Sequence, residues 1–230
     1  MSNAWHADSP AMPSTLSSTT KGWGSVTVSA ELRKSLEEAA TAYHAQVGAV
    51  APYLMARGVT KETADTFRLG YVAEPMTGHE QYYGRLSIPY LTPTGISDVR
   101  FRSLGEDSGP KYLTRPGAAS HLYNVSAFQV DNDYIAICEG EFDTMMACQS
   151  GVNAVGVPGA TNWKDWYARA FHDYLRVFVL VDGDSAGKEL GKRISQHIDV
   201  ALVVPMPDGM DVNDFVLTEG PDALRKKVGL

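Results

Sequence analysis

LRVFVLVDGDSAG, Leu175 to Gly187, runs from an apolar strand through two acids into a helix. The β-branched and apolar run Val177 to Val181 has no polar face, which predicts a strand buried on both sides, and a helical pattern begins at Ser185. Two carboxylates, Asp182 and Asp184, therefore sit at the carboxyl end of a core strand. Residues two apart in an extended or tightly turned segment point the same way, so both can aim at one point. Like charges that close repel unless a cation lies between them. An all-oxygen set suits Mg²⁺ or Mn²⁺, ions that keep one or two carboxylates and fill their other positions with water and phosphate. The competing reading makes Asp182 a turn residue and Asp184 or Ser185 a helix N-cap.

Two further stretches share this design. Tyr134 to Cys138 (YIAIC) is a second short apolar strand, and it stops at Glu139-Gly140-Glu141-Phe142-Asp143. Gly140 permits a sharp turn there, and a helix with an apolar stripe follows until Gly151. A third strand, Val200 to Val204, leads to Asp208-Gly209-Met210-Asp211-Val212-Asn213-Asp214. In an open parallel sheet the ligand crevice lies outside the carboxyl ends of the strands, so the three acidic groups are expected to converge.

EGEFD, VDGDSAG and PDGMDVNDF, in that order and strand context, resemble the metal-binding motifs of the topoisomerase-primase (Toprim) domain. Upstream, YLMARGVTKETADTFRLGY, GRLSIPYLTPTGISDVRFRS, PKYLTRPG, HLYNV and NAVGVPGATNW look like the catalytic core of DnaG-type and phage DNA primases. The resemblance spans Ala51 to the C-terminus and implies synthesis of short RNA primers on single-stranded DNA. It implies two or more divalent ions, Mg²⁺ or Mn²⁺, with Asp182, Asp184 and Asp211 as the leading ligands and Asp143 and Asn213 next. Glu139 is either a ligand or a general base toward the attacking hydroxyl. Arg85, Arg102 and Lys111 fall on the family's basic positions, which implies binding of triphosphate and nucleic-acid backbone. Arg100 shares a face with Arg102, and Tyr112 either stacks on a base or packs in the core. Asn213 stands where many bacterial relatives carry an aspartate, with Asp214 beside it, a pattern similar to phage-type members.

Composition sets limits. The 230 residues carry a net charge of −7, which at face value argues against a nucleic-acid partner. The distribution is bipolar instead. Asp131, Asp133, Glu139, Glu141 and Asp143 form a pole without a base, whereas Arg85, Arg100, Arg102, Lys111 and Arg115 outnumber the acids around them. A site that holds both cations and phosphates needs both poles. The two cysteines, Cys138 and Cys148, read as free thiols, and the six histidines show no ligand spacing, so no zinc is expected. No apolar run reaches the ~18 residues of a membrane span, and nothing near Met1 reads as a secretory signal. The expected setting is the cytoplasm, that of the host if a phage encodes the chain.

Along the chain, residues 1–28 read as a disordered arm rich in Ser, Thr and Pro. Ser29 caps a helix with Leu32, Leu36, Ala39, Ala40 and Tyr43 at helical spacing, Ala51 to Ala56 forms a second, and Thr60 caps a third. Leu86 to Leu91 and Ile96 to Phe101 read as paired strands around the Pro93 to Gly95 turn. Trp163 and Trp166 are expected to open a helix as core anchors. Lys164, Arg169, Lys188, Lys192 and Arg193 are expected on solvated helix faces.

The expectation is an α/β fold: a mixed basic subdomain over 29–131 that binds nucleotide and nucleic acid, then a Toprim catalytic domain over 132–230 with a mostly parallel sheet. The implied partners are single-stranded DNA template and ribonucleoside triphosphates, with a replicative helicase and a zinc-ribbon protein as candidates and no membrane. A Toprim nuclease is the alternative enzyme. An accessory that needs a zinc-ribbon partner for activity is the other alternative.

Overall fold

The computed structural model describes residues 28–105 and 109–230; most of the arm expected over 1–28 lies outside them. Helix α1 (Ala30–His44) starts where the Ser29 side chain accepts the Leu32 N–H, and it buries the Leu36, Ala39, Ala40 and Tyr43 stripe. Short helices α2 (Ala51–Ala56) and α3 (Lys61–Thr66) follow, the second capped by Thr60. Strands β1 (Gly70–Tyr71), β2 (Leu86–Thr92), β3 (Gly95–Arg102) and β4 (Tyr112–Thr114) then form an antiparallel sheet in sequential order. One face of this sheet packs on α1 through Val99 and Phe101. Its other face sends Leu86, Ile88 and Tyr90 into a cluster shared with the second half of the chain.

That half mostly alternates, with only 3₁₀ turns between its second and third strands and two helices at its end: β5 (Tyr134–Glu139), α4 (Glu141–Gln149), β6 (Ala154–Val157), β7 (Arg176–Val181), α5 (Ser185–Ser195), β8 (Ala201–Pro205), α6 (Val212–Glu219) and α7 (Pro221–Val228). The four strands are parallel, in the order β6-β5-β7-β8. Period two explains the continuous apolar runs. Ile135, Ile137, Val177, Val179 and Val181 face α5, while Ala136, Cys138, Phe178 and Leu180 face the cluster that holds α4, α6 and α7. Both faces are covered, as the unbroken apolar run of β7 requires. From β5 the chain winds outward to β6, then returns to β7 and winds the other way. The order of the strands thus reverses between β5 and β7, and the crevice belongs at their carboxyl ends.

Three expectations are corrected. Trp163 and Lys164 have extended backbone, and only 3₁₀ turns flank them at Ala160–Asn162 and Asp165–Phe171, so no α-helix opens there. The extended stretch turns Trp163 into the core beside Tyr167 and Phe171, whereas Trp166 is exposed rather than an anchor. Lys164 lies on extended backbone rather than a helix face and is only half-exposed, its ammonium donating to the Ser120 carbonyl at 2.7 Å. Arg193 stays on the solvated face of α5, as expected, and pairs there with Asp165 at 3.0 Å. Cys138 and Cys148 are both free. Among the described residues no helix is long and apolar enough to cross a membrane.

Candidate active site

Glu139 ends β5, and the backbone turns at Gly140 with φ 112°, a left-handed value that glycine adopts without strain. The turn leaves Glu139 at the sheet edge and starts α4 with Glu141 and Asp143 in its first turn. At the end of β7, Gly183 lies so close to the 207–210 loop that a side chain there would collide with the Pro207 carbonyl, and its N–H donates to Met210 O at 2.9 Å. This contact draws the third acidic group against the second. Asp184 and Asp211 are N-caps, accepting the N–H groups of Gly187 at 2.8 Å and Asp214 at 2.7 Å. The capping reading of Asp184 is therefore realised, and its side chain is exposed.

Glu139, Asp143, Asp182 and Asp211 line one crevice of about 270 Å³ with Arg57, Arg100, Arg102, Lys111 and Tyr112. A second depression, on the far side of Asp182 and Asp211, is lined by Asp184 and Asp214. The acids repel. Burial, then the charges of Glu139, Asp211, Asp184 and Asp214, push Asp182 up to about 7. Burial, followed by Asp211 and Asp182, lifts Asp143 well above the carboxylate range against the bond from Asn213 N–H. Burial also raises Glu139, opposed by the Ala160 N–H and reinforced by Asp184. Glu139 Oε1 accepts that N–H at 3.1 Å, while Glu139 Oε2 and Asp182 Oδ1 are buried without a hydrogen-bond partner.

These orphaned oxygens in a ring of mutually repelling carboxylates fit a divalent cation. Among the described residues no three acidic, histidine or cysteine side chains close a cage by themselves. The donor set therefore suits a hard ion that keeps few protein ligands and takes water and phosphate for the rest. Asn213 is turned elsewhere. Its amide Nδ2 donates to the Arg57 carbonyl at 2.7 Å, its Oδ1 accepts from the Arg57 guanidinium at 3.5 Å, and its backbone N–H reaches Asp143 Oδ1 at 3.0 Å. It ties α6 to α2 and braces Asp143.

The opposite wall comes from β3 and β4. Register places Tyr112 directly across from Arg102, and the Arg102 guanidinium donates to the Tyr112 hydroxyl at 2.6 Å while lying 4.6 Å over the Phe142 ring. The Arg100 guanidinium lies 4.2 Å over the Tyr112 ring and pairs with Glu141, which also accepts from the Tyr90 hydroxyl at 2.6 Å. Tyr112 is thus clasped by two arginines. Lys111 is exposed at the rim. Arg85 is not brought into the crevice: it is buried, and its guanidinium donates to the Pro110 carbonyl at 2.8 Å, which steadies the turn before Lys111.

Sequence reasoning missed Arg57 and Glu141. Arg57 reaches the crevice from α2 with its guanidinium 5.3 Å over Phe142. An arginine at the end of a six-residue helix carries no local signal of this. Glu141 was visible as an acid, yet it turns its back on the other carboxylates to neutralise Arg100.

Among known proteins, residues 136–216 match the Toprim-like family model. Gene 57 protein of Mycobacterium phage D29 is 39% identical over 152 residues, covering 64% of this chain and 99% of that protein. The DNA primase of Aquifex aeolicus is 23% identical over 218 residues, covering 76% of this chain and 44% of the primase. The chain thus spans less than half the length of that bacterial primase. A crystal structure of a DNA primase domain from Pseudomonas aeruginosa superposes with a TM-score of 0.71 at 26% identity, over 85% of this chain and 77% of that one. The match to Gene 57 protein over nearly its whole length fits a phage-type member. With a Toprim-like sheet, the acid-tipped strands in sequence order and the fold of a primase catalytic core, the chain belongs to the DnaG-type DNA primase family.

Proposed function

We propose that this chain is a primase catalytic core that joins ribonucleotides into short primers on single-stranded DNA. The observation that carries the proposal is the meeting of two opposite poles: carboxylates at the β5/β7 switch point face Arg100, Arg102 and Lys111 across one crevice. Nucleotidyl transfer brings a 3′-hydroxyl to an α-phosphate as pyrophosphate leaves. Divalent ions, Mg²⁺ or Mn²⁺, would lower the pKa of the hydroxyl and neutralise the leaving oxygens.

The chain's own residues do the rest. Asp182 and Asp211, shared by the crevice and the depression behind it, would hold the ions, with Asp143 and Asp184 to either side. Glu139 is anchored through Oε1 and presents Oε2 either to an ion or to the proton of the attacking hydroxyl. Arg102, Arg57 and Lys111 would hold the triphosphate, the guanidinium groups as planar donors and Lys111 as a point charge. Residues 29–131 would act as the nucleotide- and template-binding half and 132–230 as the metal-binding half. Template recognition would draw on a zinc-ribbon protein in trans, and a replicative helicase would deliver the template strand.

The test is primer synthesis on single-stranded DNA with labelled ribonucleotides and Mg²⁺ or Mn²⁺, comparing the wild type with Asp182→Ala. Metal-dependent oligonucleotides that vanish in the variant are expected. Degradation of the template instead would overturn the reading in favour of a nuclease.

A further inference from the structure

Beside the crevice, across Arg100 and Pro158, lies a second cavity of about 190 Å³. Its polar groups are few and convergent. Asp98 lines it with a side chain only 6% exposed; Oδ1 takes the Val99 N–H at 2.9 Å and lies 3.7 Å from Arg115 Nε, too far for a direct hydrogen bond. Arg100 Nε and Ser120 Oγ are buried there without a partner. The flat walls are Tyr90 and His121, whose rings meet edge to face at 5.0 Å, with Pro158 beside them. A buried carboxylate whose Oδ1 takes a single backbone N–H, two orphaned donors and one aromatic wall suit a planar heterocycle with a donor edge and a carbonyl. The volume is below the ~300 Å³ of a site for a whole drug-sized ligand, so it suits one ring system whose phosphates lie elsewhere.

We propose that this cavity binds a guanine base. Guanine presents two adjacent N–H donors, at N1 and N2, which one carboxylate can accept together, and O6 offers the acceptor that Arg100 and Ser120 lack. Adenine and the pyrimidines present no such pair of adjacent donors. The shared wall at Arg100 and Pro158 places the phosphates of a guanosine triphosphate in the crevice, so the first source considered is the free nucleotide. This rests on the nucleotidyl-transfer reading of that crevice.

The test exchanges the edge that Asp98 recognises. Asp98→Asn replaces an acceptor by a donor, so GTP binding should weaken by about tenfold or more while xanthosine triphosphate, which carries a carbonyl in place of the N2 amine, gains by a similar factor. ATP binding should not move. Titration calorimetry of the full chain with each nucleotide and Mg²⁺ reads all three, and the gain for xanthosine triphosphate cannot come from misfolding. Ser120→Ala, which leaves Asp98 and Arg115 alone, should weaken GTP severalfold and spare ATP. If the preference appears only with single-stranded oligonucleotides containing dG, the guanine site stands and its base comes from the template. Equal binding of GTP and ATP by the wild type, with no gain for xanthosine triphosphate in the variant, would overturn the inference while leaving primer synthesis intact. Failure of the wild type to bind any triphosphate would instead strike the underlying reading.

Discussion

The two walls of the crevice solve opposite problems. On the β5 and β7 side, carboxylates crowd without counter-charges, their oxygens partly orphaned and their proton affinities raised. On the β3 and β4 side, each buried arginine is already braced, Arg100 by Glu141 and Tyr112 and Arg102 by Tyr112 and Phe142. The first wall leaves carboxylate oxygens without a protein partner. The second is held by protein partners although Arg100 Nε and Arg102 Nε still lack an acceptor, so its donors are in place before a phosphate arrives. A site arranged this way keeps rigid the half that must aim, and leaves open the half that must exchange ions at each turnover.

The sharpest way to break the contrast is Asp182→Asn. Primer synthesis should fall by about a thousandfold, yet the metal-free protein should melt at the same or a higher temperature, because the change relieves repulsion. A lower melting temperature in EDTA would show that Asp182 supports the fold rather than waiting for an ion.

Glu141→Gln tests the other wall. Leaving Arg100 buried beside a neutral amide should cost about 3 kcal/mol of stability, read by denaturant unfolding. Adding Arg100→Met to Glu141→Gln should recover part of that loss, and failure to do so would mean the pair is not what braces Arg100.

The pH dependence distinguishes the walls more gently. Asp182 has a folded pKa of about 7 against an ordinary 3.8. Its proton is held more tightly in the folded state, so its contribution to stability is full below about pH 4 and is lost as pH rises toward about 7. Thermal melting in EDTA should therefore decline across that window, and Mn²⁺ should restore stability most at the alkaline end. A flat profile in EDTA would mean that the acids are not crowded in solution.

The smallest effect is expected at Asp184, where capping and ion binding can be separated. Asp184→Ser keeps the hydroxyl acceptor for Gly187 N–H and should change stability little, whereas Asp184→Ala should cost about 1 kcal/mol. If Asp184→Ser nonetheless loses metal-dependent activity, the carboxylate serves an ion as well as the helix.

Local pattern was enough for much of this molecule. The unbroken apolar runs of β5 and β7 could only be strands covered on both faces, because alternate side chains point to opposite sides and none is polar. Their abrupt ends in Glu139 and Asp182 placed acids at a sheet edge. Arg100 and Arg102, two apart on a strand, had to share a face. These are short-range consequences of backbone geometry, and sequence alone determines them. What only the tertiary structure decided is which neighbour each polar group meets. Asn213 is drawn to Arg57, 156 residues away, Arg85 is spent on the Pro110 turn, and Glu141 faces β3 instead of its fellow acids. A buried polar side chain must satisfy itself with whatever the packing of distant elements brings within about 3 Å, and no local spacing encodes that distance.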